Sequence, residues 1–455
     1  MSTLTILIIV ISAVLLLLYM VLKLKISAFI ALLLVSIFVG IATGMPLSSI
    51  TMSIQEGMAG TLGFVATVVG LGAIFGQMLE SSGGAESLAN YLLKKFGKER
   101  APWAMAITGF LVAIPVFFDV GFIILVPIIY ALSRDTKRSL LYYAIPLLAG
   151  LAVTHSFIPP TPGPVAVADI INAQLGWVIL LGFILGVPTT IIAGPLFGKY
   201  ISKRIYLAPP INLDDSQQEL SSENHPPFRT IILIIAIPLF LILLNTFTTV
   251  AISNEIVGQS IWTEIIEFIG HPFSALIIAT LFATYFLCIK RGMGKQKVLE
   301  LSTKALGPAG IIILITGAGG VLKQVLIDSG LGQTMAESMM HSPLPPIMLA
   351  WSIAAAVRVT QGSATVAMIT AASLISPIIG EFDLSDPHRA LIVIAISSGA
   401  TILSHVNDSG FWLVGKYLGM NENYSNQAST ISLLCEYHCE APDSSPSLSI
   451  VAIKS

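Results

Sequence analysis

The side chains able to do chemistry in this 455-residue chain fall into two strings. The first holds Val116-Phe117-Phe118-Asp119-Val120-Gly121-Phe122 and, after an apolar interval, Thr154-His155-Ser156-Phe157-Ile158-Pro159-Pro160-Thr161-Pro162-Gly163-Pro164. The second holds Arg358-Val359-Thr360-Gln361-Gly362-Ser363-Ala364-Thr365 and then Ser404-His405-Val406-Asn407-Asp408-Ser409-Gly410-Phe411-Trp412. Arg358 stands among Ala and Val, with no acid beside it in sequence. A guanidinium there is a fork for a substrate carboxylate, or one half of a structural pair with Asp119, Asp408 or a carbonyl. Gln361, Ser363 and Thr365 can bond a solute's hydroxyls or satisfy loose backbone. Asp119 follows two phenylalanines, a setting for proton exchange, substrate contact or helix capping. His155 and His405 stand at similar places in the two halves, and imidazole exchanges a proton near neutral pH. Asp408, between Asn407 and Ser409, reads as a cation or hydroxyl site. The four nearby prolines, Pro159, Pro160, Pro162 and Pro164, read as holding the chain extended.

The surroundings make this polarity informative. The chain is 55% hydrophobic and 11% charged, with a mean hydropathy of +0.87. A soluble domain carries about 25% charge, and no soluble core of this length hides so much apolar surface. The chain is therefore an all-α polytopic membrane protein. A charge at mid-bilayer costs about 2.5–3.5 kcal/mol on insertion scales, so Arg358 needs a reason to be there. The first apolar run, from Leu4 to Leu22, lacks a basic leader and a cleavage site, and reads as a retained helix. No basic patch interleaved with aromatics points to nucleic acid. Three cysteines form no disulfide framework. Cys435-x-x-His438-Cys439 lacks a fourth ligand, so neither metal nor cofactor is read. There is no nucleotide loop, zinc-protease motif or nucleophile–base order, so no enzyme is read either.

The positioning elements follow from hydropathy. Spans are expected near 4–22, 26–43, 58–79, 139–160 and 176–198, then near 230–250, 272–289, 305–329 and 389–414. Residues 101–133 and 344–380 are each too long for one span and are broken by polar residues or Gly, which suggests re-entrant hairpins. Lys and Arg cluster at 23–25, 94–100, 134–138, 199–204, 229 and 290–304, whereas loops near 44–57, 161–175, 251–271 and 330–343 have none. If the clusters are cytoplasmic, the N-terminus is outside and residues 101–133 return to the side they left.

A shift of 247 residues lays the run Gly70 to Gly83 on Gly317 to Gly330 without a gap, with six identical positions including Gln77 on Gln324. This indicates an inverted two-fold repeat, each half having spanning helices plus a broken hairpin. The expected units are residues 1–207, a cytoplasmic linker at 208–228, a second repeat at 229–422 and an atypical polar tail at 423–455. The shift requires a span near 423–445, where the chain is polar, so the last helix is expected to be missing.

The quoted strings resemble the gluconate permease family, in the larger group of ion transporters with paired hairpins. The likeness runs from residue 1 to about 430. It implies a secondary active transporter importing a sugar acid, such as D-gluconate, with protons across a bacterial inner membrane. Relatives carry idonate or D-serine. The implied mechanism is an elevator-type movement of the hairpins and their following helices. Substrate contacts are then expected from Arg358, Thr360, Gln361, Gly362, Ser363 and Thr365, from Thr154, Ser156 and Thr161, and from Asn407 and Ser409. Proton coupling is expected from Asp119, His155, His405 and Asp408. Sodium coupling within the same fold, with Asn407, Asp408 and hairpin carbonyls as ligands, is the alternative. The expected partners are the sugar acid, protons and the lipid bilayer, with room for a homodimer.

Overall fold

The computed structural model describes residues 3–210, 225–331, 345–404 and 408–420. The first repeat opens with α1 (Thr3–Leu22), α2 (Ala28–Ala42) and α3 (Leu47–Ser81). An amphipathic helix, α4 (Gly84–Phe96), leads to the first hairpin, α5 (Ala101–Val112) and α6 (Phe118–Thr136). Then come α7 (Leu141–Phe157), α8 (Pro162–Ile171) and α9 (Leu175–Ile191), which continues through a π segment into α10 (Phe197–Ile201). The second repeat has α11 (Phe228–Ser253), α12 (Ile261–Gly270), α13 (Pro272–Ala283) and α14 (Lys295–Asp328). Its hairpin is α15 (Pro346–Gln361) and α16 (Ala364–Gly380), followed by α17 (Asp386–Gly399) and α18 (Ser409–Leu418). The described chain is helical, and six of its helical stretches are long and apolar enough to cross a membrane. This is a multi-pass membrane protein.

Both expected hairpins are present, each broken where the polar strings predict. The 247-residue shift also holds for helix bounds. It carries Leu47–Ser81 onto 294–328, where α14 covers Lys295–Asp328, and Pro162–Ile171 onto 409–418, the bounds of α18.

Three expectations change. Residues 162–171 are neither an extended segment nor an open loop but a helix, buried at nearly every position. Pro162 and Pro164 lie in its first turn, where no N–H is needed and the fixed φ suits a helix. The expected span at 389–414 is two pieces, because α17 stops at Gly399 and the chain restarts as a helix at Ser409. α3 and α14 run 35 and 34 residues, well beyond the expected 58–79 and 305–329. At about 1.5 Å per residue each is about 50 Å long, more than the ~30 Å of hydrocarbon. The tail at 423–455 lies outside the described residues.

Close helix approach in lipid relies on small residues, and glycines of α3 and α14 serve this purpose. A Cβ on Gly57 of α3 would sit 2.6 Å from the Gly320 carbonyl oxygen of α14, and one on Gly320 equally close to that of Gly57. Substitution at Gly76 would strike the Pro115 carbonyl at the first hairpin's tip, 2.0 Å away. One at Gly319 would strike Ile369 of the second hairpin at 2.5 Å. The long pair α3–α14 is thus the frame against which both hairpins rest. The broken helix α7–α8 is the most buried of the six long apolar stretches. Its apolar window is 72% buried, against 33% for α11.

Candidate functional site

Each break exposes helix ends inside the bundle, and these ends meet in one cavity of about 850 Å³. Three helix starts line it. Phe118, Asp119 and Val120 come from α6, Ser363 (the N-cap), Ala364 and Thr365 from α16, and Asp408 (the N-cap), Ser409 and Gly410 from α18. Free N–H groups and the positive end of the helix dipole make each start a partner for anions. Helix ends complete the wall: His155 and Ser156 from α7, Arg358 and Gln361 from α15, and Thr401 and Ser404 just past α17. The remaining wall is apolar, with Leu141, Ile145 and Leu148 on one side and Pro308 and Ile312 of α14 on another.

The centre of the polar wall is an ion pair. Arg358, 3% exposed, places Nη2 at 2.5 Å from Asp408 Oδ2 and donates from Nε to the Ile402 carbonyl at 3.3 Å. Asp408 also accepts from Ser404 Oγ at 2.6 Å and caps α18 by accepting from Gly410 N at 3.0 Å. A buried pair is tolerable only when its spare lone pairs and protons are met. Asp408 meets this condition. Arg358 does not, because its Nη1 is sealed from water with no partner among the described residues. The same holds for both amide atoms of Gln361 and for Nδ1 of His155, whose ring stands edge-on to Phe117 at 6.2 Å. Asp119 opens onto the cavity from the first turn of α6, within electrostatic reach of Asp408.

The fold therefore joins Asp119, His155, Ser156, Arg358, Gln361, Gly362, Ser363, Thr365, Asp408 and Ser409 around one space. It turns three of the expected residues elsewhere. Thr360 bonds back to the Ala356 and Val357 carbonyls of its own helix. Thr161, the N-cap residue of α8, donates to the Ile158 carbonyl at 2.7 Å and faces a crevice against α3. Thr154 is fully buried behind the wall. His405 and Asn407 lie outside the described residues. Sequence reasoning did not nominate Thr401 and Ser404. The repeat was the available signal for Thr401, since the 247-residue shift places it on Thr154. The pair is not used symmetrically, because only Thr401 reaches the cavity.

Broken-helix ends converging on a cavity within a multi-pass bundle define a membrane transporter for a small polar solute. The chain matches the GntP family permease model over residues 4–435. It is 42% identical over 422 residues to the low-affinity gluconate transporter of Escherichia coli strain K12, covering 93% of each chain. To the gluconate permease of Pseudomonas aeruginosa it is 41% identical over 400 residues, covering 88% of each. The fold is similar to that of the YdaH transporter from Alcanivorax borkumensis, with a TM-score of 0.57 at 12% identity over 86% of this chain and 87% of that one. The chain belongs to the GntP permease family. Its relatives are transporters, and it is not an enzyme.

Proposed function

We propose that this permease imports a sugar acid, D-gluconate or a close relative, together with protons across a bacterial inner membrane. The observation that carries the reading is the meeting of three helix N-termini with the Arg358–Asp408 pair in one cavity. That set suits an anion rich in hydroxyls, and relatives about 40% identical are named for gluconate. The charge balance favours a coupled cation, and the titratable side chains at the cavity make a proton the choice. Arg358 is already matched by Asp408, so a bound carboxylate adds uncompensated charge beside Asp119. A proton on Asp119 or His155 would offset it and ease passage of the loaded site through the membrane.

The two hairpins, α7–α8 and α17–α18 form the moving block in this reading, and α3 with α14 belongs to the frame. Each broken helix packs across the repeat boundary, α8 on α16 and α18 on α6, which links the halves of the block. Tyr130 of α6 donates to the Tyr417 carbonyl of α18. Of the cavity-lining residues, Leu141 lies near Lys137 and Arg138 in sequence, and Leu418 and Met420 near Lys416, so in this reading the cavity faces the cytoplasm by the positive-inside rule.

The test is uptake of labelled D-gluconate into proteoliposomes with an imposed pH gradient. Accumulation that collapses with a protonophore and is indifferent to replacing sodium by choline supports the reading. Accumulation that follows the sodium gradient at fixed pH overturns the choice of proton.

A further inference from the structure

We infer that Arg358 and Gln361 form a subsite for the 2-hydroxy-carboxylate end of the substrate, so that the protein selects acids by the hydroxyl next to the carboxyl group. The inference rests on the sugar-acid reading and says which part of the acid is recognised. It starts from unpaired atoms. Arg358 spends Nη2 on Asp408 and Nε on the Ile402 carbonyl, and keeps Nη1 without a partner. Gln361 is the one side chain among the described residues with two such sealed and unpaired atoms, Nε2 and Oε1. The two residues are three apart on the last turn of α15, hence on one face, and both line the cavity. Just past them Gly362 turns the chain with φ +80, a conformation that suits glycine, and starts the second arm.

A buried polar group without a partner costs free energy. Three of them, on two residues of the cavity wall, describe the ligand that would relieve the cost once their side chains turn toward it. Two are donors, one on a cation, and they suit the two oxygens of a carboxylate. The third, Gln361 Oε1, needs a hydrogen-bond donor beside that carboxylate. A hydroxyl on the neighbouring carbon supplies it once the Gln361 amide turns about its terminal torsion. A plain carboxylate leaves Oε1 stranded, and a neutral sugar leaves Nη1 stranded. The same wall carries Leu141, Ile145, Leu148 and Ile312, which read no hydroxyl. Recognition is therefore strictest at carbon 2.

The experiment is titration of the purified full-length protein with paired ligands. D-Gluconate is compared with its 2-deoxy and 6-deoxy analogues, and D-glycerate with 3-hydroxypropionate. Loss of the 2-hydroxyl is expected to weaken binding roughly tenfold or more, the effect of leaving a buried acceptor unpaired. Loss of the 6-hydroxyl changes it less than about threefold. In Gln361→Leu the 2-hydroxyl effect falls to about twofold or less. Equal affinity of the wild-type protein for D-gluconate and its 2-deoxy analogue overturns the subsite. So does a folded Gln361→Leu protein that keeps the discrimination. The wild-type pairs decide the matter even if the variant fails to fold. If D-glycerate binds with the 2-hydroxyl preference and no sugar acid binds, the sugar-acid reading falls and the subsite stands. If sugar acids bind without that preference, the subsite falls alone. If none of these ligands binds, both fall.

Discussion

Arg358 and Lys323 are both cations on apolar helices, and the fold treats them differently. Lys323 of α14 donates to the Ile170 carbonyl at 2.7 Å, at the end of α8. Ser376 Oγ donates to the same oxygen at 2.6 Å, and Arg389 Nη1 to the Ile171 carbonyl at 3.1 Å. Asp169 lies within electrostatic reach of Lys323. The carbonyls that α8 leaves unpaired at its end are met by donors from three other helices, and the helix dipole favours the positive charge. Arg358 stands in an equally apolar setting with an acid against it, yet its Nη1 is left without a partner on a side chain that lines a cavity. A charge whose nitrogen is bonded to a helix end holds structure together. A charge with a nitrogen left unpaired on a cavity-lining side chain is set for a ligand.

The largest expected effect falls on the open cluster. Arg358→Ala strips Asp408 of its ion partner, which costs about 3–5 kcal/mol of stability, and lowers sugar-acid affinity roughly a hundredfold. Thermal unfolding and ligand titration separate the two losses. The double variant Arg358→Met with Asp408→Leu sharpens the point. It recovers much of the stability without recovering binding, because both charges are gone. A double variant that regains binding would show the pair to be structural.

Next comes the carboxylate facing the cavity. Asp119→Asn is expected to bind substrate within about threefold of wild type and still exchange it across a proteoliposome, since it keeps shape and a polar end. Uptake driven by a pH gradient is expected to fall to the level of passive exchange. Unchanged proton-driven accumulation would move the coupling role to His155.

Lys323→Met probes the closed cluster. It leaves part of α8's end unmet, at about 1–3 kcal/mol of stability, with substrate affinity changed less than about threefold. Affinity lost with stability intact would erase the contrast between the two cations. The smallest effect is expected at Thr360, whose hydroxyl donates to carbonyls of its own helix. Thr360→Val should change affinity less than about twofold.

Much of the fold was legible. The hairpins were marked by their lengths, breaks and basic flanks, and the repeat by one glycine-rich run whose shift then held for whole helices. What resisted was local conformation at the breaks. Pro162 and Pro164 read as extended because proline usually stops helices, but at a helix's first turn it removes no bond. Hydropathy alone ran 389–414 together as one span, although its Ser, Thr, His and Asp residues read as an unwinding, and α17 ends at Gly399 with its successor starting at Ser409. Two of the three threonines that miss the cavity, Thr161 and Thr360, share a reason. A threonine hydroxyl reaches a carbonyl three or four residues back as readily as a solute, and sequence spacing does not choose between them.

The sequence by itself determined that the protein spans a membrane, that two broken hairpins are related by a repeat, and which polar strings sit at the breaks. These follow from local composition and periodicity, which act on neighbours along the chain. It left Arg358 open among Asp119, Asp408, a carbonyl and a substrate. Only the tertiary structure chose Asp408, fifty residues on, and left Nη1 and both ends of Gln361 unpaired beside the cavity. That choice depends on where α15 and α18 cross in space. The energy of a buried charge is set by whichever groups packing brings within a few ångströms of it.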